Sequence, residues 1–226
     1  MHPARRFLYL ALIAAAFIFP QSSRADDLKR VIDELNTAAK SFHTTSADFK
    51  FDSKTTVPIP DEEIQSGTVY YERKGSGFQM GIHISKVDGR DVPKVIVCCA
   101  NGKIQMFEKL TNTVSTLDQF SQYESWFMLG FGASGTELEE KWNITYAGTE
   151  TIDGVKTEKL ILVAKDEKVR RNIPTVTVWM DTRRGVSLRQ LFDQGSGQTR
   201  DCYYTNIQVN SPSGLPDYAF VLKGAR

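Results

Sequence analysis

The chain has 226 residues, of which 41% are hydrophobic and 24% charged, proportions of an ordinary globular protein with one domain or at most two small ones. Lysine and arginine total 28 against 27 aspartate and glutamate, which excludes a basic footprint for nucleic acid and a polybasic membrane patch.

The first stretch stands apart from the rest. Arg5 and Arg6 precede an apolar run from Phe7 to Phe19, Pro20 breaks it, and Ser23-Arg24-Ala25 offers the small residues that a signal peptidase reads. Residues 1–25 are therefore expected to be a cleaved export signal, leaving 26–226 as a single soluble domain. Without Arg5, Arg6 and Arg24 the chain keeps 25 basic and 27 acidic residues, a formal charge of −2. Cys98 and Cys99 are adjacent and point to opposite faces of a strand, so at most one of them can reach Cys202. Small buried hydrophobes are the better reading for at least two of the three cysteines. No Cys/His spacing of the metal-binding kind occurs, and neither a metal nor a cofactor is expected.

Asp26 to His43 places Leu28, Val31, Ile32, Leu35, Ala38, Ala39 and Phe42 at helical spacing, which predicts an amphipathic helix. Ala47, Phe49 and Phe51 then alternate with Asp48, Lys50 and Asp52, the period of a strand. Pro58 and Pro60 place a loop at Val57 to Glu63. Val69, Tyr71 and Arg73 share one face of the next strand. Across a Gly75–Gly77 turn, Phe78, Met80, Ile82 and Ile84 share one face of its partner. Asp88-Gly89 turns the chain again, Lys94 to Ala100 and Lys103 to Glu108 flank Asn101-Gly102, and a short strand follows near Thr113 to Leu117.

Gln119 to Asn143 breaks this pattern. Trp126, Phe127, Met128, Leu129 and Phe131 form an apolar block too short to cross a membrane. Gly130 and Gly132 follow it, and Thr136 with Glu139 has the spacing of a capping box. The block reads as an apolar helix on two flexible joints, a lid. Strands are then expected at Trp142 to Ala147, Lys156 to Ala164, Thr175 to Met180, Val186 to Phe192, Thr199 to Val209 and Tyr218 to Leu222, with a charged loop from Lys165 to Arg171. About eleven strands, one opening helix and a lid predict a mainly β barrel or sandwich built as one strongly curved antiparallel sheet.

Catalysis is not expected. His43 and His83, the histidines that remain after signal removal, are not presented with a nucleophile, and no G-x-S-x-G elbow occurs. Glu137, Glu139 and Glu140 read as a solvated helix face.

An exported chain with SFHTTSADFKF, GTVYYERKGSGF, an NGK hairpin, SWFML and a closing DYAFVLKGA, in that order, resembles the LolA-type periplasmic carriers of outer-membrane lipoproteins. The resemblance runs over nearly the whole mature chain. It implies an incomplete, unclosed antiparallel β-barrel with an N-terminal helix and a helical lid over an apolar cavity. It also implies a periplasmic chaperone that takes lipoprotein acyl chains from an inner-membrane ABC-type exporter and passes them to an outer-membrane receptor. Arg73 matches the family's lid-latching arginine, Phe78 its neighbouring aromatic, and Trp126, Phe127, Met128 and Leu129 its lid. Two departures bear on docking: Lys74 follows the arginine where the family often has proline, and the chain stops at Arg226, without the family's longer C-terminal extension. A monomer is expected. The alternatives are a lipid-binding sensor or regulator of envelope stress on the same fold, or a carrier of a non-protein lipid.

The physical demand behind a carrier is large. Each methylene left in water costs about 0.8 kcal/mol, so a sixteen-carbon chain represents roughly 12 kcal/mol. The inward series Phe49, Phe51, Val69, Tyr71, Phe78, Met80 and Ile82, with Val176, Val178 and Met180, is expected to wall the cavity. A lid that fills the hollow when vacant would ease release.

Overall fold

The computed structural model describes residues 24–75, 77–98, 103–117 and 129–222, without the side chains of 98 and 117. Residues 1–23 of the expected signal peptide, the Asn101-Gly102 turn and Trp126, Phe127 and Met128 lie outside the described residues.

Helix α1 (Arg24–Ala39) opens the structure and buries Val31, Ile32 and Leu35 on one face, the stripe its periodicity requires. Eleven strands follow: β1 (Thr44–Thr55), β2 (Asp61–Lys74), β3 (Gly77–Val87), β4 (Arg90–Cys98), β5 (Ile104–Glu108), β6 (Thr113–Leu117), β7 (Trp142–Ile152), β8 (Val155–Ala164), β9 (Thr175–Asp181), β10 (Val186–Gly195) and β11 (Gln198–Val209). They form one sheet in the order β6-β5-β4-β3-β2-β1-β11-β10-β9-β8-β7, with every ladder antiparallel. Each strand pairs with its neighbour in sequence except at the centre, where the first strand meets the last. The free edges β6 and β7 are thus consecutive in the chain and, among the described residues, unpaired, so the barrel is open.

Just before β7, α2 (Gly135–Lys141) is capped by Ser134, whose side chain accepts from the Glu137 N–H while the Glu137 carboxylate accepts from the Ser134 N–H. The capping box therefore starts two residues earlier than Thr136 and Glu139 suggest. Both pairs have the required spacing, and the hydrogen bonds from the Thr136 N–H and hydroxyl to Asn36 Oδ1 of α1, 3.0 and 3.2 Å, place Thr136 inside the helix instead of at its cap.

Two further expectations are corrected. The charged segment after β8 contains α3 (Glu167–Asn172), a short helix capped by Asp166; six residues with no apolar stripe give no periodicity to read. The last segment, Tyr218 to Leu222, is a series of turns, not a strand. It lies on the sheet, where the Ala219 carbonyl accepts from His83 Nε2–H at 3.1 Å, instead of extending an edge. Helix α1 also ends at Ala39, short of His43, and Phe42 is buried beyond it.

The core has two parts. One gathers Phe42, Ala47, Phe49, Val69, Tyr71, Phe78, Met80, Phe131 and Tyr204 around β1, β2, β3 and β11. The other packs Val31 and Leu35 of α1 with Leu129, Leu138, Trp142, Leu160, Val176, Val178 and Met180 on the β7–β10 half.

Candidate acyl-chain cavity and its strap

Alternation along the strands puts one set of side chains inside the open barrel. On β1 these are Ala47, Phe49, Phe51 and Ser53; on β2, Val69, Gln65 and Glu63; on β11, Tyr204, Cys202 and Arg200. Together with Met80, Ile82 and Ile84 of β3, Ile96, Ile104, Leu129, Phe131, Gln190 and Phe192, most of them line a cavity of about 400 Å³, within the range of small-molecule sites.

Burial changes along this cavity in one direction. Ala47 is 1% and Phe49 7% exposed, whereas Phe51 and Ser53 are partly exposed. On β2, Val69 is buried, Gln65 and Glu63 are partly exposed, and on β11 Cys202 is buried while Arg200 is exposed. The hollow is closed at the Tyr71 end and opens at the row Glu63, Ser53, Arg200.

The closed end is made by residues 129–133, a strap between the two core clusters. It is pinned to β10 and the turn before it: Gly132 N–H donates to Gly185 O and Ser187 N–H to Gly130 O, both at 2.9 Å. Phe131 forms an isolated antiparallel bridge with Val186, and the Gln190 side-chain amide donates to Leu129 O. Gly130 and Gly132 have φ of +92° and +70°, conformations open to glycine at little cost. In this state they are fixed points of the strap, not free joints. Phe131 fills the space between Tyr71 (ring centroids 6.1 Å) and Tyr204 (5.0 Å).

Arg73, from β2, reaches the strap from the other side. Its Nη2 donates to Gly132 O at 2.6 Å, and its Nη1 lies 3.7 Å from Glu137 Oε1. Burial of the Glu137 carboxyl pushes its pKa up, but the Ser134 N–H and hydroxyl and the Arg73 guanidinium outweigh this and hold it below the usual carboxylate value. Arg73 Nε and the Tyr71 hydroxyl are buried without a hydrogen-bond partner, and burial pushes the Tyr71 phenol up to about 12.

The expected site residues divide accordingly. Phe49, Phe51, Met80, Ile82 and Leu129 line the cavity. Tyr71 and Phe78 stack on each other (5.3 Å, 15°) in the same core cluster, at the closed end beside the strap. Val178 and Met180 do not reach the cavity: both are 1% exposed and belong to the cluster under α1. Strand β9 pairs with β8 and β10, away from β1, and the inward face there is covered by the helix. Sequence reasoning missed Gln190, Cys202, Tyr204 and Arg200, which line the wall from β10 and β11. Cys202 is a free, fully buried thiol whose pKa burial pushes up to about 12.

No protein-family model and no curated protein matches the chain by sequence, but solved structures do. MucB matches with a TM-score of 0.51 at 12% identity over 86% of this chain and 62% of its own, so the chain spans less than two thirds of MucB. An uncharacterised conserved protein from Thermus thermophilus matches with a TM-score of 0.50 at 10% identity, covering 85% of this chain and 96% of that one. A LolA superfamily protein from Nitrosomonas europaea matches at 0.41 and 11% identity, over 85% and 96%. At these identities the likeness is one of fold, and that fold is an unclosed antiparallel barrel of eleven strands with an N-terminal helix.

Proposed function

We propose that this protein is a periplasmic carrier that shelters the acyl chains of lipoproteins inside the open barrel and moves them from the inner to the outer membrane. The observation that carries the reading is the graded cavity: an apolar hollow, closed at one end by a strap whose Leu129 and Phe131 line it, and open at the other. Leu129 and Phe131 do for the vacant barrel what an acyl chain does for the loaded one, covering apolar surface that otherwise meets water. Loading then exchanges one set of apolar contacts for another, so a ligand worth roughly 12 kcal/mol of burial is held without being locked in. The pinning of the strap by single hydrogen bonds to Gly130, Gly132 and Leu129 favours this exchange, because each contributes only about 1 kcal/mol.

The test is native mass spectrometry of the protein purified from its own periplasm, wild type against Phe51→Glu. Added mass from an acylated protein on the wild type, absent from the variant, is the expected result. A wild-type protein that carries no acylated molecule, and takes none up from a detergent-solubilised lipoprotein, overturns the reading.

A further inference from the structure

The mouth of the cavity carries a charge that the protein itself leaves unanswered. Arg200 stands on β11 with Ser53 of β1 on one side and Phe192 of β10 on the other, and it shares the cavity wall with Cys202, two residues deeper. The neighbouring arginines of this sheet are engaged: Arg189 pairs with Asp201 at 2.6 Å, and Arg73 with Gly132 and Glu137. The Arg200 side chain makes no hydrogen bond and no ion pair among the described residues. The one acid on the same rim, Glu63, accepts instead from Gln65 Nε2 at 2.7 Å. A guanidinium is a fork of five donors with no acceptor, suited to two-point contact with a carboxylate or phosphate.

We propose that, besides acyl chains joined to protein, the cavity takes a free single-chain anionic amphiphile of the fatty-acid kind tail-first, and that Arg200 binds its carboxylate head at the mouth. Charge complementarity argues for this occupant: the polar groups deeper in the bore, Gln190 and Tyr204, bond to each other and to Leu129 O, whereas the rim carries a cation whose side chain has no partner among the described residues, the polarity of an amphiphile that enters tail-first. The volume argues for one chain, since about 400 Å³ lies near the lower end of the range for small-molecule sites. The inference rests on the acyl-binding reading and adds the head-group chemistry and the direction of entry. The Ser53 hydroxyl, directly across the ladder, is placed to donate to the same head.

The experiment compares palmitate with 1-monopalmitoylglycerol, equal tails with a charged and a neutral head, by calorimetric titration at pH 8. Wild type and Arg200→Gln are measured, with Tm recorded for both. The expected result is a preference of about tenfold for palmitate in the wild type, the scale of a charge-assisted hydrogen bond. In Arg200→Gln that preference is lost, while monopalmitoylglycerol binds as before and Tm is unchanged. Equal affinities in the wild type, or a preference that survives in Arg200→Gln, overturn the head-group assignment and leave the acyl cavity standing. Failure of both ligands to bind the wild type overturns the acyl reading itself, and this inference with it.

Discussion

Arg73 and Gly132 are 59 residues apart in sequence and joined by a 2.6 Å hydrogen bond from Nη2 to the carbonyl oxygen. Nothing else from β2 holds the strap by a side-chain hydrogen bond among the described residues, so this contact and the β10 bonds together decide whether the closed end stays closed. Arg73→Leu removes the donor and strands the Gly132 carbonyl. The expected loss is about 1–3 kcal/mol, with amide exchange at 129–133 rising more than exchange in the β8–β9 ladder. Uniform acceleration across the sheet would show that the contact is general scaffolding.

Gly132 has no room for a side chain. Its φ is +70°, and a Cβ would come within 2.1 Å of Phe42 Cδ1. Gly75 has φ +58° and no heavy atom within 4 Å of the same position. Gly75→Ala should cost roughly 1–2 kcal/mol from the backbone alone, and Gly132→Ala about 2 kcal/mol more from overpacking. Urea denaturation of the two variants checks the difference, and equal losses would show that Phe42 gives way freely.

The Glu137 carboxyl titrates below its ordinary value of 4.5. The unfolded chain therefore takes up that proton first as pH falls. The stabilisation is complete above the ordinary carboxylate pKa and is lost as pH falls through the lowered one. Glu137→Gln should be less stable than wild type at pH 7, and the gap should close on acidification below about pH 4. A gap that stays constant between pH 7 and pH 3, followed by thermal melts, would remove the charge from the account.

Gly81 lies beneath the C-terminal turns, where an added Cβ would come within 1.9 Å of Ala219 O. Gly81→Ala should lift residues 216–222 off the sheet and uncover His83. Burial now holds His83 below its ordinary value of 6.5, against the opposing effect of its bond to Ala219. An NMR titration should therefore find the His83 pKa moved up in the variant. An unchanged titration would mean that the turns stay seated.

Cys202 reports on the cavity. With its thiol buried and pushed up to about 12, attack on a thiol reagent at pH 8 requires opening. In a chain with Cys98 and Cys99 replaced by serine, labelling should be slow, faster in Arg73→Leu, and suppressed by a bound acyl chain. Immediate labelling of the intact protein would contradict the burial of this wall.

Much of the architecture was legible in the sequence because it is local. Alternation in Phe49 and Phe51, the run Phe78, Met80, Ile82, and the turn at Asp88-Gly89 each follow from neighbouring residues, and the structure has strands and a turn there. The stripe of α1 is likewise set by Val31, Ile32 and Leu35. Short elements held by one cap, such as α3 on Asp166, carry no period and were not legible.

What only the tertiary structure decided is which inward faces enclose space. Val178 and Met180 alternate as cleanly as Phe49 and Phe51, yet α1 covers the first pair and the cavity receives the second. That outcome depends on strand order: β1 and β11 meet at the centre of the sheet, opposite the strap, whereas β9 sits toward the edge that the helix packs against. Periodicity fixes the face on which a side chain stands; whether that face meets a helix, a ligand or water depends on contacts between residues far apart in the chain, and no local pattern encodes them.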